Sequence, residues 1–441
     1  MSIKTKAVAA AYTVAKKCPP LRQVIRNGLF AYRRHHYNSN TKGIQTDKKK
    51  VIFCTFSGRG YSDSPRAIYE YMLRSEKYQD YSFVWIFQKP ERFRFLEENP
   101  RTTLVQWATV PYEKAMASAG YWIFNYRVSD HIWPKEDQVY VECWHGTPLK
   151  RLGWDLTAGG NVMNSIAEIR QKYDLDSAKF KYLLSPSPYC TEKFTSAWNL
   201  AAQGKAGAIL EQGYPRNDAL LNATAGDIRR VKETLRITPE DIGDKKVLLY
   251  APTWRDNQHD SNSYGYSYTL GADFDKLRAA LGEEYIILFR AHYLVASQFD
   301  FAAYAGFVYD VSSYPDINDL YLASDLLITD YSSVFFDYAI LRRPVLFYMY
   351  DLAAYRDDIR GFYISLDELP GPVVETEDEL IEAIPAQLST RAWDARYDAF
   401  LRRFAPFDDG EASRRVVEII LGEKPNIRAS AQRRARGIEG Q

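Results

Sequence analysis

Apolar residues along this chain come in short runs, and the polar stretches between them carry helical spacing. Val51 to Phe56, Phe83 to Phe87, Thr103 to Gln106, Tyr121 to Asn125, Val139 to Trp144, Tyr182 to Ser185 and Ala208 to Glu211 are rich in β-branched and aromatic residues, which predicts strands. Between them, Ser64 to Leu73, Tyr112 to Ala119 and Tyr189 to Trp198 predict helices. Gly213 to Asp218 breaks the rhythm, and a polar helical segment follows to about Arg236. A second series then begins, with strands over Val247 to Ala251, Tyr285 to Arg290 and Gly306 to Asp310 and helices over Phe274 to Leu281 and Asp316 to Ala323. Alternation of this kind implies parallel sheets covered on both faces. The chain therefore reads as α/β, with two Rossmann-like halves meeting near residues 213 to 245.

The stretch Asp325 to Tyr350 is the clearest single unit. Leu326 to Ile328 predicts a strand, Thr329 to Ser333 a polar break, Val334 onward a helix, and Val345 to Tyr348 a further strand opened by Pro344. A loop that follows a strand's carboxyl end in an open parallel sheet is where ligands sit. Ser332 and Ser333 are good helix caps, and their hydroxyls also suit a phosphate; the stretch alone does not separate the two roles. Near the other end of the chain, Leu21, Val24, Ile25, Leu29 and Tyr32 recur at helical steps while Arg22, Arg26 and Arg33 lie elsewhere on the wheel. Such a helix either lies in an anionic membrane interface or docks on the body with a basic side exposed. Thr41 to Lys50 reads as a linker, and the end of the chain carries further helical patterns such as Ser413 to Leu421.

Charge sharpens this picture. The 441 residues carry a net charge of +1, yet residues 1 to 50 hold 12 Lys or Arg against Asp47 alone, and residues 424 to 441 hold five against Glu439. Basic ends on an acidic body suit something anionic at the ends. Hydrophobic residues at 46% and charged ones at 26% describe a folded protein, and the length suggests two domains. The 33 tyrosines suit either a sugar- or base-gripping surface or ordinary packing. Cys18, Cys54, Cys143 and Cys190 form no CxxC pair, so a reducing compartment is expected and a disulfide framework or structural zinc is not. No apolar run reaches the length of a membrane span.

Few residues are placed for chemistry. Of six histidines, His145 and His292 follow strand runs directly, one in each half, with Gly146 beside the first and Arg290 two residues before the second. A cleft between two such halves collects ligands at these edges. Thr253 and Arg255 follow the first strand of the second half, and with Arg290, His292, Ser332 and Ser333 they make a hydroxyl and cation set suited to a diphosphate. Asp337, one turn past the serines, suits ribose hydroxyls; for Arg255 and Asp337 a surface ion pair is the competing role. A phosphate-binding GxxxxGK[ST] loop, a full dinucleotide fingerprint, a GxSxG elbow, an HExxH zinc motif and nucleic-acid signatures are all absent from the sequence.

Seven stretches together resemble one family. FSGRGYSDSPRAIYEYM at 56–72, WHGTPLKRLGWD at 144–155, SPSPYCTEKF at 185–194, GYPRND at 213–218, YAPTWRD at 250–256, FRAH at 289–292 and DINDLYLASDLLITDYSSVFFDYAILRRPVLFY at 316–348 occur in the order found in CDP-glycerol glycerophosphotransferases of teichoic acid and capsule synthesis. The resemblance implies a GT-B fold: a basic amphipathic segment and linker over 1–50, an acceptor domain over 51–235, a nucleotide-donor domain over 236–425 and a basic tail over 426–441. It implies His145 as general base and His292 as a ligand of the donor phosphate, with Thr253, Arg255, Arg290, Thr329, Ser332, Ser333 and Asp337 toward the donor and Gly146, Thr147 and Lys150 toward the acceptor. The expected donor is CDP-glycerol or CDP-ribitol and the expected acceptor a lipid-linked polyprenyl diphosphate at the cytoplasmic face of the bacterial membrane. No metal, cofactor or nucleic acid is expected. Only about 50 residues precede the first strand, which leaves primase and polymerase both open. Two alternatives stand beside this reading: a GT-B glycosyltransferase using a nucleotide sugar, and a membrane-bound binding protein without catalysis.

Overall fold

The computed structural model describes residues 19–157, 165–253, 271–291, 299–352, 361–389 and 394–423. Arg255, His292 and the basic tail lie outside the described residues.

Two parallel sheets organise the chain. The first contains β1 (Asp47–Cys54), β2 (Ser82–Phe87), β3 (Thr102–Gln106), β4 (Ala119–Phe124), β5 (Val139–Glu142), β6 (Tyr182–Ser185) and β7 (Ile209–Glu211), in the order β3-β2-β1-β4-β5-β6-β7. The second contains β8 (Lys246–Ala251), β9 (Tyr285–Phe289), β10 (Val308–Asp310), β11 (Leu326–Thr329), β12 (Val345–Tyr348) and β13 (Val373–Val374), in the order β10-β9-β8-β11-β12-β13. Each sheet winds outward in both directions from its first strand. The loops leaving β1 and β4 therefore diverge, as do those leaving β8 and β11, and each pair opens a crevice at the carboxyl edge. This is the α/β class with two parallel sheets that the strand pattern predicts.

Both faces of the sheets are covered, which is why the strands read as continuous apolar runs. Every residue of β9, β11 and β12 is buried. Aromatic side chains fill much of this core. Phe53 stacks on Trp85 at 5.2 Å, and Trp85 on Phe87 at 5.6 Å. Eight of the eleven largest fully buried side chains are tyrosines, so a large part of the tyrosine content is packing. The helix Ala412–Ile420 returns to the first sheet, where Val416, Val417 and Ile420 join Phe53, Ile68 and Trp85. Asp218 fixes its start by accepting from the N–H groups of Ala412 (2.9 Å) and Ser413 (2.7 Å).

One local expectation changes, and two elements fall outside the apolar pattern. The linker predicted over 41–50 is shorter, because β1 already begins at Asp47, pairing there with Ala119 of β4. The helix Ile166–Lys179 escapes the apolar pattern; its start is set by the Ser165 and Glu168 capping box. Strand β13 is two residues long, too short for any period. Near the start of the chain the helix Pro19–Thr41 is anchored through Tyr37, which is buried, through Arg26 to Glu168 (2.6 Å) and through His36 to Glu113 (3.2 Å). Its Val24, Leu29 and Tyr32 are exposed. Among the described residues no helix is long and apolar enough to cross a membrane.

Candidate active site

The site begins where β5 ends. Glu142 terminates that strand by turning its own carboxylate back on the chain: Oε1 accepts from the Trp144 N–H at 3.0 Å, and Oε2 accepts from the Tyr140 hydroxyl at 2.6 Å. Trp144 is thereby held at φ 53°, a left-handed conformation that non-glycine residues seldom adopt. The turn projects His145 out of the sheet edge. Burial raises the Glu142 pKa to about 8.

His145 is caged but reached by solvent. Its ring lies 4.2 Å from that of Trp144, with Phe56 edge-on at 6.0 Å and Tyr126 at 6.2 Å. Its Nδ1 stands 3.1 Å from the carbonyl oxygen of Asn125, at the end of β4. A carbonyl only accepts, so Nδ1 carries the proton and Nε2 keeps its lone pair. Desolvation by the surrounding rings lowers the His145 pKa below the ordinary imidazole value even though the residue keeps an exposed face, and Arg216 pushes the same way; the Asn125 carbonyl and Asp63 pull it back up. A neutral imidazole with a fixed tautomer is what a general base at pH 7 requires.

The loop after β1 closes the other side. Phe56, Ser57 and Gly58 have φ values of 46°, 58° and 80°, so three successive residues are left-handed. They stay so because the Phe56 N–H donates to Asn125 Oδ1 (2.8 Å) and the Gly58 N–H to the Thr55 carbonyl (2.8 Å). Asn125 Nδ2 in turn donates to Asp63 Oδ2 at 2.9 Å. Strain held by several independent bonds is a mark of functional sites.

Facing this edge across the cleft is the loop after β11. A Cβ built on Gly146 would fall 2.9 Å from Ser333 Oγ, so the two loops are in contact. A side chain at 146 would have to push the Ser333 hydroxyl aside. Ser333 starts the helix Val334–Tyr338 without a side-chain capping bond, and Ser332 Oγ accepts only a long 3.5 Å bond from the Val334 N–H. The capping role is therefore weak. The Ser333 hydroxyl meets the turn at Gly146 instead.

Other expected residues have structural employment. Thr329 is fully buried and its hydroxyl donates to the Ala251 carbonyl at 2.8 Å, tying β11 to β8. Thr147 is also buried, its hydroxyl paired with the Cys190 thiol. Arg290 donates through Nη1 to the carbonyls of Tyr314 (2.8 Å) and Val311 (3.2 Å). The Thr253 N–H donates to Asp330 Oδ1 at 2.8 Å. Lys150 makes a backbone bridge with Phe362, and Arg151 N–H donates to the Gly361 carbonyl at 3.0 Å, so this segment crosses to the second half. Asp337 differs most from expectation. Both of its oxygens are engaged by Arg216, Nε to Oδ2 at 3.0 Å and Nη2 to Oδ1 at 3.1 Å, and Asn217 adds a bond of 3.1 Å to Oδ1. This is a buried internal pair, neither a surface ion pair nor an open ribose acceptor.

Arg216, Asp63 and Asn125 are the residues the sequence reading missed. Arg216 lies within GYPRND and is 4% exposed, which for an arginine requires partners on several sides. Arg66 makes a second bridge between the halves, Nη1 to Asp316 Oδ2 at 2.9 Å. A groove of about 700 Å³ runs beside these pairs, lined by Arg66, Glu70, Arg74, Arg216, Asp316 and Asn318 among others. Among the described residues no group of three or more His, Cys, Asp or Glu could hold a metal ion.

Known proteins resemble this chain in sequence and fold. A family model described as CDP-Glycerol:Poly(glycerophosphate) glycerophosphotransferase matches residues 36–422. The chain is 41% identical over 378 residues to the teichoic acid poly(glycerol phosphate) polymerase of Bacillus subtilis (strain 168), covering 85% of this chain and 49% of that protein. It is 38% identical to the teichoic acid glycerol-phosphate transferase of Staphylococcus aureus (strain NCTC 8325 / PS 47), covering 85% of this chain and 93% of that one. It thus spans about half the length of the first relative and nearly all of the second. A solved structure of a variant of the wall teichoic acid polymerase TagF with CDPG superimposes with a TM-score of 0.78 at 34% identity, covering 92% of this chain and 97% of that one. With two doubly wound parallel sheets and a family model that matches most of its length, the chain belongs to the CDP-glycerol:poly(glycerophosphate) glycerophosphotransferase family.

Proposed function

We propose that the protein transfers a polyol phosphate, glycerol phosphate first, from a CDP-polyol to a hydroxyl of a lipid-linked teichoic acid or capsule precursor and releases CMP. The observation that carries this is the contact between the two loops: Gly146, next to His145, meets Ser333, whose hydroxyl suits a donor phosphate, and this supports the reading. In this reading the acceptor hydroxyl attacks the β-phosphorus of the donor. His145 Nε2 takes its proton, the new P–O bond forms, and the bond from the β-phosphorus to the bridging oxygen breaks as CMP departs. Ser332 and Ser333 hold phosphate oxygens as charge builds on the leaving group, and Arg255 and His292, outside the described residues, are proposed to join them. The similarity to a TagF structure carrying CDPG supports a CDP-linked donor.

The lipid-linked acceptor and the membrane face belong to the same proposal. Val24 (68% exposed), Leu29 (49%) and Tyr32 (66%) form an apolar strip on a helix that is anchored mainly through Arg26, His36 and Tyr37, which supports docking on an anionic bilayer. Two assays test the reading. Incubation with CDP-glycerol, CDP-ribitol and UDP-sugars should release CMP from a CDP-polyol alone; UDP release would favour a nucleotide-sugar enzyme. Cosedimentation with anionic vesicles should be lost when Val24, Leu29 and Tyr32 are replaced by serine, and unchanged sedimentation would remove the membrane part of the proposal.

A further inference from the structure

Beyond the base itself, a continuous set of bonds joins His145 to the donor-side helix. His145 Nδ1 donates to the Asn125 carbonyl (3.1 Å), and the Asn125 side-chain amide donates to Asp63 Oδ2 (2.9 Å). Asp63 Oδ1 lies 3.5 Å from Arg216 Nη1, and Arg216 grips Asp337 with its other two nitrogens at 3.0 and 3.1 Å. Asp337 is on the helix that Ser333 starts. The backbone of Arg216 is fixed as well: its carbonyl accepts from Asn318 Nδ2 at 2.6 Å, and its N–H reaches Ser64 Oγ at 3.4 Å.

Two further features set Asp63 apart. Its side chain is 8% exposed, and its backbone sits at φ 62°, in the left-handed region. Phe56, Ser57 and Trp144, which hold the same strained conformation, all lie in the loops around the imidazole. A short carboxylate at this place reaches the Asn125 amide and the Arg216 guanidinium at once. Orientation of a base is worth a large rate factor because a displacement near 1 Å already costs about 100-fold.

We propose that Asp63 is a positioning residue of the transfer reaction: through Asn125 it sets the orientation of the His145 ring, and through Arg216 it ties that orientation to the helix behind Ser332 and Ser333. The inference rests on the reading of His145 as the general base. Asp63 touches no reacting atom; it acts through other residues. The consequence is that the base and the donor loop, which lie in opposite halves, are held in register by the Arg216–Asp337 pair.

A thermodynamic cycle on the full chain tests this, with CMP release from CDP-glycerol as the rate and donor KM as the second readout. Asp63→Ala is expected to lower kcat by 10-fold or more with the donor KM unchanged, and Asp63→Asn, which keeps an acceptor for Asn125, to lose less. In the His145→Ala background, Asp63→Ala should cause no further fall, because a residue that acts through His145 has nothing left to orient. A further fall of the same size in that background would overturn the proposal, as would a raised donor KM with kcat retained. Should Asp63→Ala not fold, as judged by thermal unfolding, Asp63→Asn carries the same cycle, and equal losses in both backgrounds again overturn it. Full activity in His145→Ala alone would instead refute the base assignment, a separate outcome from additivity between the two positions.

Discussion

Gly146→Ala is the sharpest probe of the contact between the two halves. The new Cβ would stand 2.9 Å from Ser333 Oγ, about half an ångström inside ordinary contact, and 3.6 Å from Ser333 Cβ, which is ordinary contact. Gly146 does not have a positive φ, so the substitution adds no backbone strain. Only the serine hydroxyl has to give way, by turning to another rotamer, and that costs about 1 kcal/mol or less. The fold should therefore survive, with thermal unfolding close to wild type. Activity should not. A hydroxyl turned away from a phosphate loses one charge-assisted hydrogen bond, about 1.5–3 kcal/mol, which corresponds to roughly 10- to 100-fold in kcat/KM. CMP release under subsaturating donor measures this directly. In Ser333→Ala the hydroxyl is already gone, and adding Gly146→Ala should then cost little. Wild-type activity in Gly146→Ala, or an undiminished loss in the Ser333→Ala background, would refute the argument that this glycine exists to admit Ser333.

The remaining predictions concern charge. Arg216→Ala strands Asp337 and Asp63 inside the protein and should destabilise it by about 3–5 kcal/mol in urea unfolding, far more than Arg74→Ala, whose guanidinium is 72% exposed. The rate of transfer should rise with pH through the His145 pKa, and because burial and Arg216 lower that pKa, the half-maximal point should fall below pH 6.5; a midpoint above 7 would mean another group limits the rate. Glu142, raised to about 8 by burial, favours the folded state most when protonated, so its contribution is present below the unfolded carboxylate pKa and is lost as pH rises toward 8. Glu142→Gln should flatten part of that loss, on the order of 4 kcal/mol between pH 5 and 9, while Asp408, also raised to about 8, and Asp176, raised to about 6, keep their own shares; chemical denaturation across that range reads the difference.

How much of this was legible in the sequence depends on the range of the interaction concerned. Strand β6 (Tyr182–Ser185), strand β12 (Val345–Tyr348) and the helix Phe274–Leu281 stand where the apolar pattern puts them, since burial on both faces forces uninterrupted apolar runs and an amphipathic helix keeps its period. His145 and Ser333 stand in the loops after β5 and β11, as the pattern implies, because a break after an apolar run is a local signal. Asp337 was placed correctly along the chain and given the wrong partner, because Arg216 lies 121 positions away and no pattern announces the pair. Asn125 and Asp63 were missed for the same reason. Asn125 reads as the end of a strand and Asp63 as an ordinary polar loop residue until the sheet order brings β1, β4 and β5 side by side. The end of β5 was overrun by two residues because Cys143 and Trp144 are good strand formers; the Glu142 carboxylate overrides that preference by capturing the Trp144 N–H.

The central claim is that His145 is the base of a CDP-polyol transfer, and one comparison tests it most directly. Wild type and His145→Ala would be supplied with CDP-glycerol and a lipid-linked, glycerol-phosphate-primed acceptor, with CMP release and donor affinity measured in parallel. The expected result is CMP release by the wild type, a loss of at least 100-fold in His145→Ala, about the contribution of a general base, and CDP-glycerol binding of equal strength in both. Equal CMP release by the two proteins would contradict it.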